Sequence, residues 1–215
     1  MAVRFALSRV SRAYAPEYRS IVAIDMVGSG QWDDCVQLRA RTALDAMVRS
    51  AFRAAGISWR KLVVEDRGDG MIVLVPPSTS KVDLIDPLVP ALVARLRQHN
   101  AMVGAEHRIR VRVAVHAGEV LRSPSGWVST DINLTCRLLN AVPLYRELIR
   151  SPESDLVLVV SEVIRNGVVR HGYRRIDPAE YRCVHIVSKE VDTSAWIHLP
   201  DADAGPATAA GPDVH

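Results

Sequence analysis

Ser20-Ile-Val-Ala-Ile-Asp-Met26 is a short apolar run rich in β-branched residues, with Gly28 and Gly30 just beyond it, and it predicts a buried strand. The apolar period then changes. Val36, Ala40, Ala43, Leu44, Met47, Val48, Ala51, Phe52 and Ala55 recur at steps of three and four, predicting a helix that Gly56 closes. Residues 61–66 and 71–75 read as two strands joined by the tight hairpin Arg67-Gly-Asp-Gly70. A second helix is expected around Leu84, Leu88, Leu92, Val93 and Leu96. Over 108–116, Arg108, Arg110 and Arg112 alternate with Ile109, Val111 and Val113, which predicts a strand with one solvated face. A third helix is expected from 131 to about 148, a strand at 156–160, a short helix from Ser161, and strands at 183–187 and 195–199. The order β-α-β-β-α-β, followed by αβαββ, predicts a ferredoxin-like α+β fold, an antiparallel or mixed sheet with helices packed on one face.

Composition narrows the class. The 215 residues suit one ordinary domain, and 48% apolar with 24% charged residues excludes wholesale disorder. Aromatics are only 5%, so the core must rest on Val, Leu, Ile and Ala. The formal charge of +3 gives no global argument for nucleic acid as a partner, although arginine makes up most of the 27 cations. Cys35, Cys136 and Cys183 stand far apart with no CxxC, so a disulfide scaffold or cysteine zinc site is not expected. No apolar run approaches the ~18 residues of a membrane span, and no secretory signal pattern opens the chain. The expectation is a cytoplasmic protein with no membrane partner. Residues 1–19 read as a basic lead-in broken by Pro16, residues 20–200 as the single domain, and residues 201–215 as a disordered tail.

Three polar features stand out. Asp25 ends a buried strand beside a glycine-rich turn, where a carboxylate can hold a hard cation and backbone N–H groups can approach phosphate; it can equally cap the next helix. Asp69 sits at a hairpin tip, where Asp-Gly is also ordinary turn chemistry. Asn133 and Arg137 lie one helical turn apart on one face, able to grip a ribose or phosphate oxygen or to serve as a plain surface pair.

Taken as an ordered set, Asp25-Met-Val-Gly28, Arg67-Gly-Asp69-Gly70, Val113-Ala-Val-His-Ala-Gly118-Glu119 and Asn133-x-x-x-Arg137 resemble the class III nucleotidyl cyclase catalytic domain over roughly residues 18–200. Within that family the chain is most similar to the short stand-alone Pycsar-type cyclases, which make cyclic UMP or cyclic CMP as an alarm during phage infection. The resemblance implies that Asp25, Asp69 and the Met26 carbonyl hold two divalent cations, Mn²⁺ or Mg²⁺. It implies that Asn133 orients the ribose, that Arg137 stabilises charge on the α-phosphate, and that Lys189 binds phosphate. It also implies a two-fold homodimer whose sites take the aspartates from one subunit and the Asn/Arg pair from the other, so that a monomer is inactive. The product would be read by a separate effector.

The pattern departs from the family in two places. Gly28-Ser-Gly30 stands where Gly-Phe-Thr is usual. In the base pocket, Glu65 occupies the position where adenylate cyclases carry Lys and guanylate cyclases Glu, and the second purine-reading position falls on Gly126. Neither purine code is complete. Glu65 can accept a hydrogen bond from uracil N3–H or the cytosine amine, with Trp127 filling the space a purine would need. Alternatively Glu65 pairs with Arg67 or Arg122, and Trp127 belongs to the core. His116 and Glu119 are expected to be structural, and Cys35 and Cys136 to be buried small residues.

Overall fold

The computed structural model describes residues 15–200. Residues 1–14 of the expected lead-in and the expected tail at 201–215 lie outside the described residues. Strand β1 (Glu17–Met26) begins three residues inside the stretch read as lead-in. Helix α1 (Asp34–Ala54) follows, started by the Asp33 side chain accepting from the Val36 N–H. The hairpin strands are β2 (Val63–Asp66) and β3 (Gly70–Val75), then α2 (Leu88–Asn100), β4 (Val111–Ser123) and β5 (Gly126–Val128). The C-terminal half contains α3 (Thr130–Leu139), α4 (Val142–Arg150), β6 (Leu156–Ser161), α5 (Glu162–Gly167), β7 (Arg182–Ser188) and β8 (Val191–His198).

The eight strands form a mixed sheet in the order β2-β3-β1-β4-β6-β8-β7, with β5 paired on β4. The first four strands are antiparallel neighbours in the ferredoxin-like order, and the parallel pair β4–β6 joins them to the rest. The α+β fold expected from the element order is the one observed.

Helices on one face describe only the first half of the chain. In β1, Val22, Ile24 and Met26 point into a core shared with α1 and α2, while Ile21 and Ala23 point into a second core under α3 and α4. Four successive apolar residues, Ile21 to Ile24, need cover on both sides. The single helix expected over 131–148 is two, because Pro143 cannot continue α3 and instead takes the second position of α4. Among the described residues no helix is long and apolar enough to cross a membrane.

The arginine-bearing face of β4 is not solvated. Arg112 is 4% exposed. Arg110 donates to the carbonyls of Leu148, Ser151 and Ser154, and Arg108 to those of Pro152 and Glu153 and to Asp155. A guanidinium carries five donors, enough to satisfy the carbonyls that a helix C-terminus leaves open, so charge in alternate positions here marks arginines bonded to protein groups, of which Arg112 is buried and Arg108 and Arg110 are partly exposed.

Candidate active site

The end of β1 and the β2–β3 hairpin bring two carboxylates together. Asp25 lies opposite Gly70 on one side and opposite Arg112 on the other. A Cβ at residue 70 would stand 2.2 Å from the Ile24 carbonyl oxygen, so glycine there is what lets the hairpin fold tightly onto β1. The hairpin is fastened by the Met26 N–H donating to the Asp69 carbonyl at 3.1 Å. Asp69 Oδ2 accepts the Ser29 hydroxyl at 2.6 Å, from the turn that follows β1, and Gly28 opens that turn at φ +76°. The Met26 side chain is buried in the first core, leaving its backbone at the site.

Asp25 is pushed up to about 6, first by burial; Arg112 opposes the rise and the charge of Asp69 adds to it. Arg112 nonetheless makes a direct ion pair with Asp25 Oδ2. The donor set fits a hard divalent cation: it is all oxygen, and a buried carboxylate facing a second carboxylate holds surplus negative charge. Among the described residues no group of three or more His, Cys, Asp or Glu side chains gathers, so backbone and substrate oxygens have to complete any coordination shell around Asp25 and Asp69.

A second group lies on α3 and the elements around it. Its cap, Ser129, accepts from the N–H groups of Asp131 and Ile132. Asp131 holds the helix start to the sheet: its carboxylate accepts the Glu119 N–H at 2.8 Å and lies 3.0 Å from His116 Nε2, while His116 Nδ1 is 2.7 Å from the Ser161 hydroxyl. Both His116 ring nitrogens are thereby committed, so this buried histidine is structural. Asn133 projects from the exposed side of α3, and Arg137 one turn on is half-buried, 3.6 Å from Glu190 at the β7–β8 turn. Lys189 forms that turn with Glu190 at φ +53°.

Glu65 pairs with Arg67 at 2.6 Å, and a Cβ on Gly126 would lie 3.4 Å from its Oε1. Burial pushes the Cys136 thiol up, Arg67 and Arg137 oppose that, and Glu65 adds to it, so the charges of the Glu65 pair and of Arg137 all reach Cys136. Trp127 packs on the second core with Arg19 5.7 Å from its ring centre. The residue brought up to Glu65 is thus Gly126 rather than Trp127. Cys136 is half-buried, while Cys35 is exposed in the first turn of α1, not buried as expected.

The structure therefore gathers Asp25, Met26 and Asp69 in one place, and Glu65, Arg137 and the Lys189 turn in another, both on the α3 side of the sheet. Sequence reasoning missed Ser29 and Arg112. The serine between two glycines after Asp25 was a usable signal; Arg112 was hidden by its regular alternation.

The mixed sheet with its packed helices is a fold shared with solved adenylyl and guanylyl cyclase structures. No protein-family model matches the sequence, and no curated protein is significantly similar to it. Solved structures do share its fold. The guanylyl cyclase Cya2 is 16% identical over 89% of this chain and 97% of its own, with a TM-score of 0.61. An adenylate/guanylate cyclase/hydrolase from Silicibacter pomeroyi is 15% identical over 87% and 99%, at 0.63. The catalytic core of a rhodopsin-guanylyl cyclase with converted specificity, in complex with ATPαS, is 11% identical over 85% and 95%, at 0.53.

Proposed function

We propose that this protein is a homodimeric, metal-dependent nucleotide cyclase that converts a nucleoside triphosphate to its 3′,5′-cyclic monophosphate and diphosphate. The observation that carries this reading is the meeting of Asp25 and Asp69 on a cyclase-domain fold whose α3 bears Asn133 and Arg137. Bound Mn²⁺ or Mg²⁺ would supply charge neutralisation at the triphosphate and a more acidic ribose 3′-hydroxyl. Asp25, Asp69 and the Met26 carbonyl would hold the cations; Ser29 fixes the orientation of the Asp69 carboxylate. The 3′-oxygen loses its proton and bonds to the α-phosphorus, and the bond to the diphosphate oxygen breaks. Asn133 of the other subunit orients the ribose, Arg137 meets the charge growing on the α-phosphate, and Lys189 binds phosphate. Arg137 leaves Glu190 to do so, a small cost for a pair 3.6 Å apart whose carboxylate is exposed.

For the base we favour a pyrimidine, UTP ahead of CTP, with a cyclic nucleotide that acts in the cytoplasm as an anti-phage second messenger read by a separate effector. Support comes from the resemblance to Pycsar-type cyclases and from Glu65, whose carboxylate stands before a position with no side chain, Gly126. A carboxylate there also suits the N–H groups of guanine, so guanylate cyclisation is the second reading. Purified protein incubated with ATP, GTP, CTP and UTP separately, with Mn²⁺, tests both. Cyclic UMP or CMP that disappears in Asp69→Ala supports the first reading, and cyclic GMP supports the second. No cyclic product from any base leaves either a catalytically silent dimerisation or nucleotide-sensing module or an enzyme that needs an activator. Glu65→Lys should change the preferred base; an unchanged preference removes Glu65 from base recognition.

A further inference from the structure

Three arginines alternate along the approach to β4 and its start, and Arg112, the one inside the strand, differs in kind. Arg108 and Arg110 spend their donors on backbone carbonyls and on the buried Asp155, the way a structural arginine does. Arg112 has one close partner, Asp25. Its remaining contacts are long, 3.4 Å to the Leu139 carbonyl and 3.3 Å to Asn140 Oδ1, and its Nε has no partner. The guanidinium lies over the Tyr145 ring, 4.1 Å from its centre, and against the end of α3. It is a fixed positive charge, aimed at one oxygen of the carboxylate that ends β1.

We propose that Arg112 is a positioning residue that acts as the built-in counter-charge of Asp25, keeping the affinity of the bare site for divalent cations low so that the metal arrives together with the triphosphate. This rests on reading Asp25 as a metal aspartate. A cation bound to Asp25 shares that carboxylate with a guanidinium within a few ångström, and like charges at such range repel by an amount that water screens poorly in a buried site. The triphosphate brings the negative charge that relieves the repulsion, so metal and nucleotide bind with positive coupling. The long contacts of Arg112 to Leu139 and Asn140 also tie this exchange to the end of the helix that carries Asn133 and Arg137.

Mn²⁺ binding to the full chain without nucleotide, read from the loss of free-ion signal in electron paramagnetic resonance, is the test. Arg112→Gln should bind Mn²⁺ about tenfold or more tightly than wild type. Arg112→Lys, which keeps the charge, should stay near wild type, and Asp25→Asn combined with Arg112→Gln should lose the gain. Arg112→Met retains the stem's packing on Tyr145 and replaces the glutamine variant if that one fails to fold. Equal or weaker Mn²⁺ binding without the arginine, or a gain that survives Asp25→Asn, overturns the proposal. Cyclisation that persists in the single Asp25→Asn variant would overturn instead the reading of Asp25 on which it rests.

Discussion

Asp25 and Gly70 face each other across β1 and β3 so closely that a side chain at 70 would strike the backbone of Ile24. The carboxylate site depends on that missing atom, because the hairpin that carries Asp69 can reach Asp25 only if the two strands stay in register to their ends.

Gly70→Ala is therefore expected to cost about 1–3 kcal/mol of stability from overpacking and to abolish cyclisation by shifting Asp69. Asp69→Ala should abolish cyclisation while leaving the melting temperature close to wild type. Thermal denaturation and product assays on both variants separate the two effects; a Gly70→Ala protein with normal melting and normal turnover would show that the strand ends tolerate the extra atom.

If each site draws on two subunits, two dead variants should rescue each other. Asp69→Ala and Arg137→Ala, unfolded and refolded together in equal amounts, form mixed dimers with one intact site, which gives about a quarter of wild-type activity. Activity that stays at the level of the separate variants would place all four residues in a single chain's site.

Burial raises Asp25 to about 6, partly against Arg112. In the unfolded chain this carboxyl ionises near ~4. Between those values the folded protein keeps a proton that the unfolded chain has lost. The group's contribution to stability is thus largest below about pH 4 and is lost as pH rises through 6, after which the ionised carboxylate costs about 3 kcal/mol. The melting temperature of wild type relative to Asp25→Asn should fall from pH 5 to pH 7. Cyclisation should move the opposite way, rising through pH 6 as Asp25 becomes able to take a cation.

Gly118 lies beneath the Asp131 carboxylate, 2.2 Å from where a Cβ would sit. Gly118→Ala should displace Asp131 from His116 and the Glu119 N–H and cost about 1–3 kcal/mol. Because Asp131 anchors the start of α3, turnover should drop more than Mn²⁺ binding, which depends on Asp25 and Asp69. Equal losses in both would show that the helix anchor and the carboxylate site are not separable.

Much of the fold was legible because its signals are local. The 3.6-residue period of α1, the hairpin Arg67-Gly-Asp-Gly70 and the apolar run of β6 each predict the element observed. Errors arose where a local pattern has two physical causes. The alternating arginines at 108–112 look like a solvated face, yet Arg108 and Arg110 bond carbonyls 38 to 45 residues away and Arg108 also bonds the Asp155 carboxylate. The break between α3 and α4 is legible in Pro143, which cannot continue a helix but can start one. In the candidate site, the order of the motifs singles out Asp25, Asp69, Asn133 and Arg137, and the structure brings the first two together. The partnerships of Ser29 with Asp69 and Arg112 with Asp25 span 40 and 87 residues, and no spacing rule reaches that far.

Those distant acceptors bear on how the chain assembles during synthesis. β1, β2 and β3 can pair as soon as they emerge, since their partners are already made. Arg108 and Arg110 cannot: they leave the ribosome well before Leu148, Ser151, Ser154 and Asp155 exist to receive them. Until then this side of β4 carries uncompensated charge and stays hydrated, so α3 and α4 have no dry surface to settle on. The carboxylate half of the site can thus form early, and the α3 arginine and the Lys189 turn are its later parts.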